Sequence, residues 1–199
     1  MLLRWKTVAS KLYLSMQIDL RSAIKNFEVI RSKETDNTQL EICRNVLKEA
    51  FDGDFSEEDW AHTFGGIRFL GFLEKRLIAH GSVVPRKIWI DATETKVGYV
   101  EGIAVEKSYW RRGFGSLLIS EITAFCRAEY PISMLSTGEK EFYRKQGWVD
   151  FLGESYVKEN GIEIRTEEED EGLMVLLGAL SSLSIPRKVT CETRAGDFW

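Results

Sequence analysis

The stretch YWRRGFGSLL, residues 109–118, places Gly113 and Gly115 directly after a long apolar segment and directly before a helical pattern. A glycine-containing turn that opens a helix presents unpaired backbone N–H groups and the positive end of the helix dipole, so it can hold a pyrophosphate. It is not a Walker loop, since no GxxxxGK[ST] occurs, and no glycine follows Gly115 at dinucleotide-fold spacing. Taken alone, such a turn can equally be structural. In VGYVEGIAV, a period of two puts Val97, Tyr99, Glu101, Ile103 and Val105 on one strand face, with a carboxylate inside an apolar row. The sequence ends CETRAGDFW, with Asp197 beside two aromatics and a carboxylate on Trp199. Most termini are polar and mobile, so an apolar, doubly anionic end is expected to be docked.

These groups need a scaffold. With 199 residues, 44% hydrophobic and 29% charged, the chain has the balance of one soluble domain. A net charge of -4 argues against a nucleic-acid backbone as partner and suits an acidic pocket for a cationic ligand. No apolar run approaches the roughly 20 residues that cross a bilayer. Arg4, Lys6 and Lys11 interrupt any signal-peptide core, so a cytoplasmic protein is expected. Residues 1–26 read as an amino-terminal extension, in which Met16 offers a second start, and 27–199 as the domain proper. Cys43, Cys126 and Cys191 are widely spaced and read as buried small hydrophobes. His62 and His80 form no metal-ligand pattern, and His62 reads as packing near a helix; no metal is expected.

Along the chain, FEVIRS (27–32) reads as a strand and TQLE (38–41) as a capping box opening a helix that ends near Phe51. Ser56 is a second N-cap. Residues 66–106 read as an antiparallel meander of separate strands, GIRFLGFLE, LIAHGSVV, RKIWI and VGYVEGIAVEK. A helix over 113–127 and the strand ISMLST follow, then a short helix at 140–146. After Trp148 the pattern is irregular. The acid run EEEDE (167–171) reads as a solvated loop, and LMVLLGAL and KVTCETR as late strands.

Strands leading into the glycine turn, a strand after its helix, and EFYRKQGW at 141–148 together resemble the GNAT superfamily of N-acetyltransferases. Its acetyl-CoA loop, [Q/R]xxGx[G/A], falls here on residues 110–115. Trp110 departs from the usual first residue, although the phosphate-cradling amides are backbone groups. GDFSEEDWAHTFGG (53–66), VGYVEGIAVEKSYWRRGFG (97–115) and the ending CETRAGDFW are similar to the aminoglycoside 2'-N-acetyltransferases.

The resemblance implies an α+β fold, one GNAT-type domain with a central mixed, strongly twisted sheet flanked by helices. It implies acetyl-CoA as cosubstrate, held by Ile103, Ala104, Val105, Arg111, Arg112, Gly113, Phe114, Gly115 and Ser116. It implies an aminoglycoside bound by Asp54, Glu101, Ser136, Asp170, Asp197 and the Trp199 carboxylate, through charge-assisted hydrogen bonds to ammonium groups. Glu101 is either the general base, acting through a water, or a binding carboxylate only. The strand N–H near Val105 would polarise the thioester carbonyl, and Tyr143 would be the general acid at the departing sulfur. The implied function is antibiotic resistance by acetylation of a 2'-amine, on kasugamycin or on a 2-deoxystreptamine drug such as gentamicin or tobramycin. Acetylation of another polyamine or peptide amine, and an acetyl-CoA sensor without turnover, are the competing readings. Homodimerisation is implied by the resemblance alone.

Overall fold

The computed structural model describes residues 24–199. The chain runs β1 (Phe27–Ser32), α1 (Asn37–Ala50), α2 (Glu57–His62), β2 (Ile67–Leu73), β3 (Arg76–Ile90) and β4 (Thr93–Val105). It continues through α3 (Phe114–Glu129), β5 (Ile132–Ser136), α4 (Lys140–Arg144), β6 (Val149–Asp150), β7 (Glu154–Glu159) and β8 (Ile162–Arg165). It closes with α5 (Glu167–Asp170), β9 (Leu173–Leu177) and β10 (Lys188–Glu192). The expected extension falls mostly outside the described residues, but Ile24 packs against the core.

Ser56 caps α2 as expected, with a reciprocal bond from Asp59. The cap of α1 is Asp36 rather than Thr38: its carboxylate accepts from the Gln39 N–H two residues ahead of the expected box. The sheet is mixed, with strand order β6-β9-β5-β4-β3-β10-β7-β8 and β2 and β1 added on β3. β1 to β4 form the antiparallel meander, while β4–β5 and β7–β10 pair in parallel.

Three expectations need correction. LIAHGSVV and RKIWI are one strand, β3, running through Pro85. β2 covers β3 up to Val83 and β10 covers it from Ile88, so Pro85 falls in a gap on that edge where its missing N–H breaks no ladder. The region after Trp148 contains a β7–β8 hairpin turning at Asn160–Gly161, both with positive φ, the turn chemistry that two-residue hairpins favour. The acid run is the short helix α5 rather than a loop.

Alternation sorts the apolar residues onto two faces. Ile132, Met134, Leu173 and Val175 pack with Trp199 in one core, while Leu135, Met174 and Leu176 pack with α3 residues Leu118 and Ile122 in the other. Cys126 and Cys191 are buried within these cores, and Cys43, on α1, is buried against Leu70 and Leu77. Burial pushes the Cys43 and Cys126 thiols up to about 12.

Candidate active site

β4 carries the irregularity from which the site is built. Its register against β3 passes from Ser82↔Glu101 to His80↔Ala104, so Gly102 and Ile103 oppose the single Gly81. One extra residue inverts the phase of a period-two strand. Val97 and Tyr99 therefore pack in one core while Ile103 and Val105 pack in the other, which corrects the single face expected from alternation. Beside it, β5 pairs with β4 only at Gly98 and Tyr99. Beyond Tyr99 the two parallel strands part, and a cleft of about 1050 Å³ opens between them.

Glu101 to Val105 line this cleft, together with Arg111, Gly113, Phe114, Gly115 and Ser116 from the glycine turn. Gly113 is the N-cap of α3 at φ 90°, and no side chain caps the helix, so its first-turn amides remain available for an anion. Arg112 is not among the lining residues; its guanidinium lies 5.6 Å from the Tyr109 ring. Trp110, where the motif has Arg or Gln, donates its indole N–H to the Val105 carbonyl at 2.6 Å. Tyr143 lines the cleft from α4, buried against Phe142 and Trp148. Burial first, and Glu139 second, push its phenol up, so it is protonated at neutral pH.

The same cleft collects Asp54, Glu101, Ser136, Asp197 and Trp199. Asp54 and Asp197 are exposed, whereas the Trp199 ring is 4% exposed and donates its indole N–H to Thr166. The last residues form a strap across the cleft. The His62 Nε2–H donates to the Ala195 carbonyl at 2.8 Å, and Arg86 donates to the Phe198 carbonyl at 2.7 Å. His62 is thus a strap anchor as well as packing.

Sequence reasoning missed Arg194. It donates to Glu101 Oε1 at 2.7 Å and, through Nε, to the Asp197 carbonyl at 2.7 Å. An arginine among the acids of the ending was the available signal. Asp170 does not join the cleft-lining residues: its carboxylate accepts from Arg165, the Ser155 hydroxyl and the Ser155 N–H. Burial opposes its charge, but the Arg165 and Ser155 hydrogen bonds outweigh that and hold it below the usual range. Its neighbour Glu169 instead borders a shallower annex that shares Ser136, Thr137 and Gly138 with the cleft. Burial, then Asp197 and Glu168, push the Glu169 carboxyl up. Arg194 opposes that rise.

Among the described residues, no group of three His, Cys, Asp or Glu side chains is arranged to hold a metal ion, and no helix is long and apolar enough to cross a membrane.

Comparison with known proteins supplies the family. Residues 34–148 match the model of the acetyltransferase (GNAT) family. The chain is 32% identical over 176 residues to an aminoglycoside 2'-N-acetyltransferase of Mycolicibacterium fortuitum, covering 86% of this chain and 90% of that protein. Among solved structures it resembles YhbS of Escherichia coli, a GNAT family N-acetyltransferase in complex with CoA, with a TM-score of 0.62 at 11% identity over 83% of this chain and 89% of that one. It also resembles a GNAT family acetyltransferase of Brucella melitensis in complex with acetyl-CoA, with a TM-score of 0.53 at 16% identity over 79% of this chain and 92% of that one. These two likenesses concern the fold.

Proposed function

Since the chain belongs to the aminoglycoside 2'-N-acetyltransferase family of the GNAT superfamily and is an acetyl-CoA-dependent N-acetyltransferase, we propose that its acceptor is the 2'-amine of an aminoglycoside antibiotic. The observation that carries this reading is the meeting, in one cleft, of an anion-binding helix start with the carboxylates Asp54, Glu101 and Asp197. An aminoglycoside is a hydroxyl-rich polycation, and ammonium-to-carboxylate hydrogen bonds are of the stronger, charge-assisted class.

In this mechanism the amides of Gly113 to Ser116 hold the cosubstrate phosphates, and acetyl-CoA supplies the acyl thioester. Asp54, Ser136, Asp197 and the Trp199 end of the strap orient the drug. Its 2'-amine attacks the acetyl carbonyl carbon directly, within a ternary complex. The amine proton passes through a water to Glu101, whose Oε1 is already held by Arg194. Backbone N–H groups of Ile103 and Val105, on the edge of β4 away from β3, polarise the carbonyl oxygen. As the C–N bond forms and the C–S bond breaks, Tyr143 gives its phenolic proton to the departing sulfur. The products are an N-acetylated drug and CoA. In this reading Asp170 shapes the wall through Arg165 and Ser155, and Glu169 faces the drug.

The test is CoA release from acetyl-CoA with tobramycin, gentamicin, kasugamycin, spermidine and a peptide amine, followed by NMR of the product. Acetylation of the 2'-amine is expected. Turnover confined to spermidine or the peptide would replace the drug as substrate, and saturable acetyl-CoA binding without turnover on any amine would make the protein a sensor.

A further inference from the structure

Beside the β4 bulge lie two buried polar side chains that line neither the cleft nor the strap. Arg68 on β2 is 6% exposed, with its guanidinium carbon 4.9 Å from the Trp60 ring centre and 4.2 Å from that of Phe64. No carboxylate pairs with it among the described residues; its Nη1 lies 2.7 Å from Nε2 of His80, on β3. His80 is fully buried, and its Nδ1 lies 2.7 Å from the Gly102 carbonyl. A guanidinium only donates and a carbonyl only accepts. The two partners therefore assign the ring: Nδ1 carries the proton, Nε2 accepts, and the imidazole is neutral. Its electrostatics agree, since burial, with Arg68 adding to it against the Gly102 bond, pushes His80 down to about 3.

The bulge gives this ring a task. An extra residue takes backbone groups out of the ladder, and a buried carbonyl left unpaired is costly. Two β3 side chains answer that need: Ser82 donates to the Glu101 carbonyl at 3.2 Å and His80 to that of Gly102. Gly102 sits at φ 59°, where a Cβ would come within 2.9 Å of the Thr63 methyl, so the turn requires glycine. The next residues, Ile103, Ala104 and Val105, line the cleft past the point where β4 and β5 part.

We propose that His80, oriented by Arg68, is a positioning residue for acetyl transfer: by holding the Gly102 carbonyl it sets the direction in which the backbone amides of Ile103 and Val105 face the thioester carbonyl. The proposal rests on the acetyl-transfer role given above to those amides, and on no particular acceptor. His80 touches neither substrate. Its effect is on the direction of the donors, to which carbonyl polarisation is sensitive, because only groups preorganised toward the developing charge lower the barrier.

The test compares His80→Asn with His80→Gln. An asparagine amide can take the place of Nδ1 and keep the bond to Gly102, whereas a glutamine amide takes the place of Nε2 and loses it. With tobramycin as acceptor, kcat should stay within about threefold in His80→Asn and fall about tenfold or more in His80→Gln, at similar melting temperature, tobramycin KM and acetyl-CoA affinity. Amide exchange at Gly102 to Val105, measured without any amine, should quicken in His80→Gln alone. Equal loss of kcat in the two variants, or none in either, overturns the proposal. If the native protein does not acetylate tobramycin, the acceptor reading fails by itself; the exchange pattern then decides, and equal exchange in both variants overturns the role of His80. If neither variant folds, nitrogen-15 NMR of the native ring decides: protonation at Nδ1 supports the assignment, and protonation at Nε2 overturns it.

Discussion

Glu101 stands at the junction of three interests: the bulge at which its own backbone turns, the cleft, and Arg194, which holds one carboxylate oxygen. If the other oxygen takes up the amine proton through water, Glu101→Gln keeps the hydrogen-bonding shape and removes the basicity. General acid and base roles each contribute about 10²- to 10⁴-fold in rate. Glu101→Gln should therefore lower kcat by about a hundredfold or more, with Tyr143→Phe lowering it less because water can also protonate a thiolate. Steady-state kinetics separate the readings: a raised KM at unchanged kcat makes Glu101 a binding group only.

At the scale of elements, the start of α3 and the terminal strap divide the two substrates between them. Gly113 occupies φ 90°, which a valine adopts only under strain, and it lines the cleft. Gly113→Val should weaken acetyl-CoA binding about tenfold or more while leaving tobramycin binding nearly unchanged, as calorimetry of each ligand would show. Trp199 is the converse case. Its buried ring and its bond to Thr166 seat the strap that carries Asp197 and Arg194. Trp199→Ala should cost about 3–5 kcal/mol of stability and weaken tobramycin more than acetyl-CoA. A lowered melting temperature with equal loss of both ligands would mean that the strap serves the fold alone.

At the scale of the whole molecule, the buried His80 ties stability to pH. Its folded-state value of about 3 lies below the ordinary 6.5, so in acid the unfolded chain binds a proton that the native ring refuses. Its contribution is therefore fully present above about pH 6.5 and is lost as pH falls toward 3. Between those limits the native protein should lose about 1.4 kcal/mol per pH unit more than His80→Asn, measured as the difference in urea-unfolding free energy at each pH. Parallel curves for the two proteins would mean that the ring is protonated in the fold.

The meander and the glycine turn at the start of α3 were legible in the sequence because each depends on local spacing, on period two, cap chemistry and a glycine where the chain must turn, whereas the α+β architecture and the approach of the terminal segment to Glu101 were legible only through the family resemblance. The Asn160–Gly161 hairpin was also locally encoded, and reading the region as irregular overlooked it. The phase change in β4, the continuity of β3 through Pro85, the pairing of Arg194 with Glu101, the withdrawal of Asp170 behind Arg165 and Ser155, and the Arg68–His80–Gly102 chain were decided only in three dimensions. Each depends on which strand edge is left uncovered or which carboxylate meets which cation across distant parts of the chain. Spacing along a sequence carries no record of such meetings, because they follow from how the strands pair and where the sheet parts.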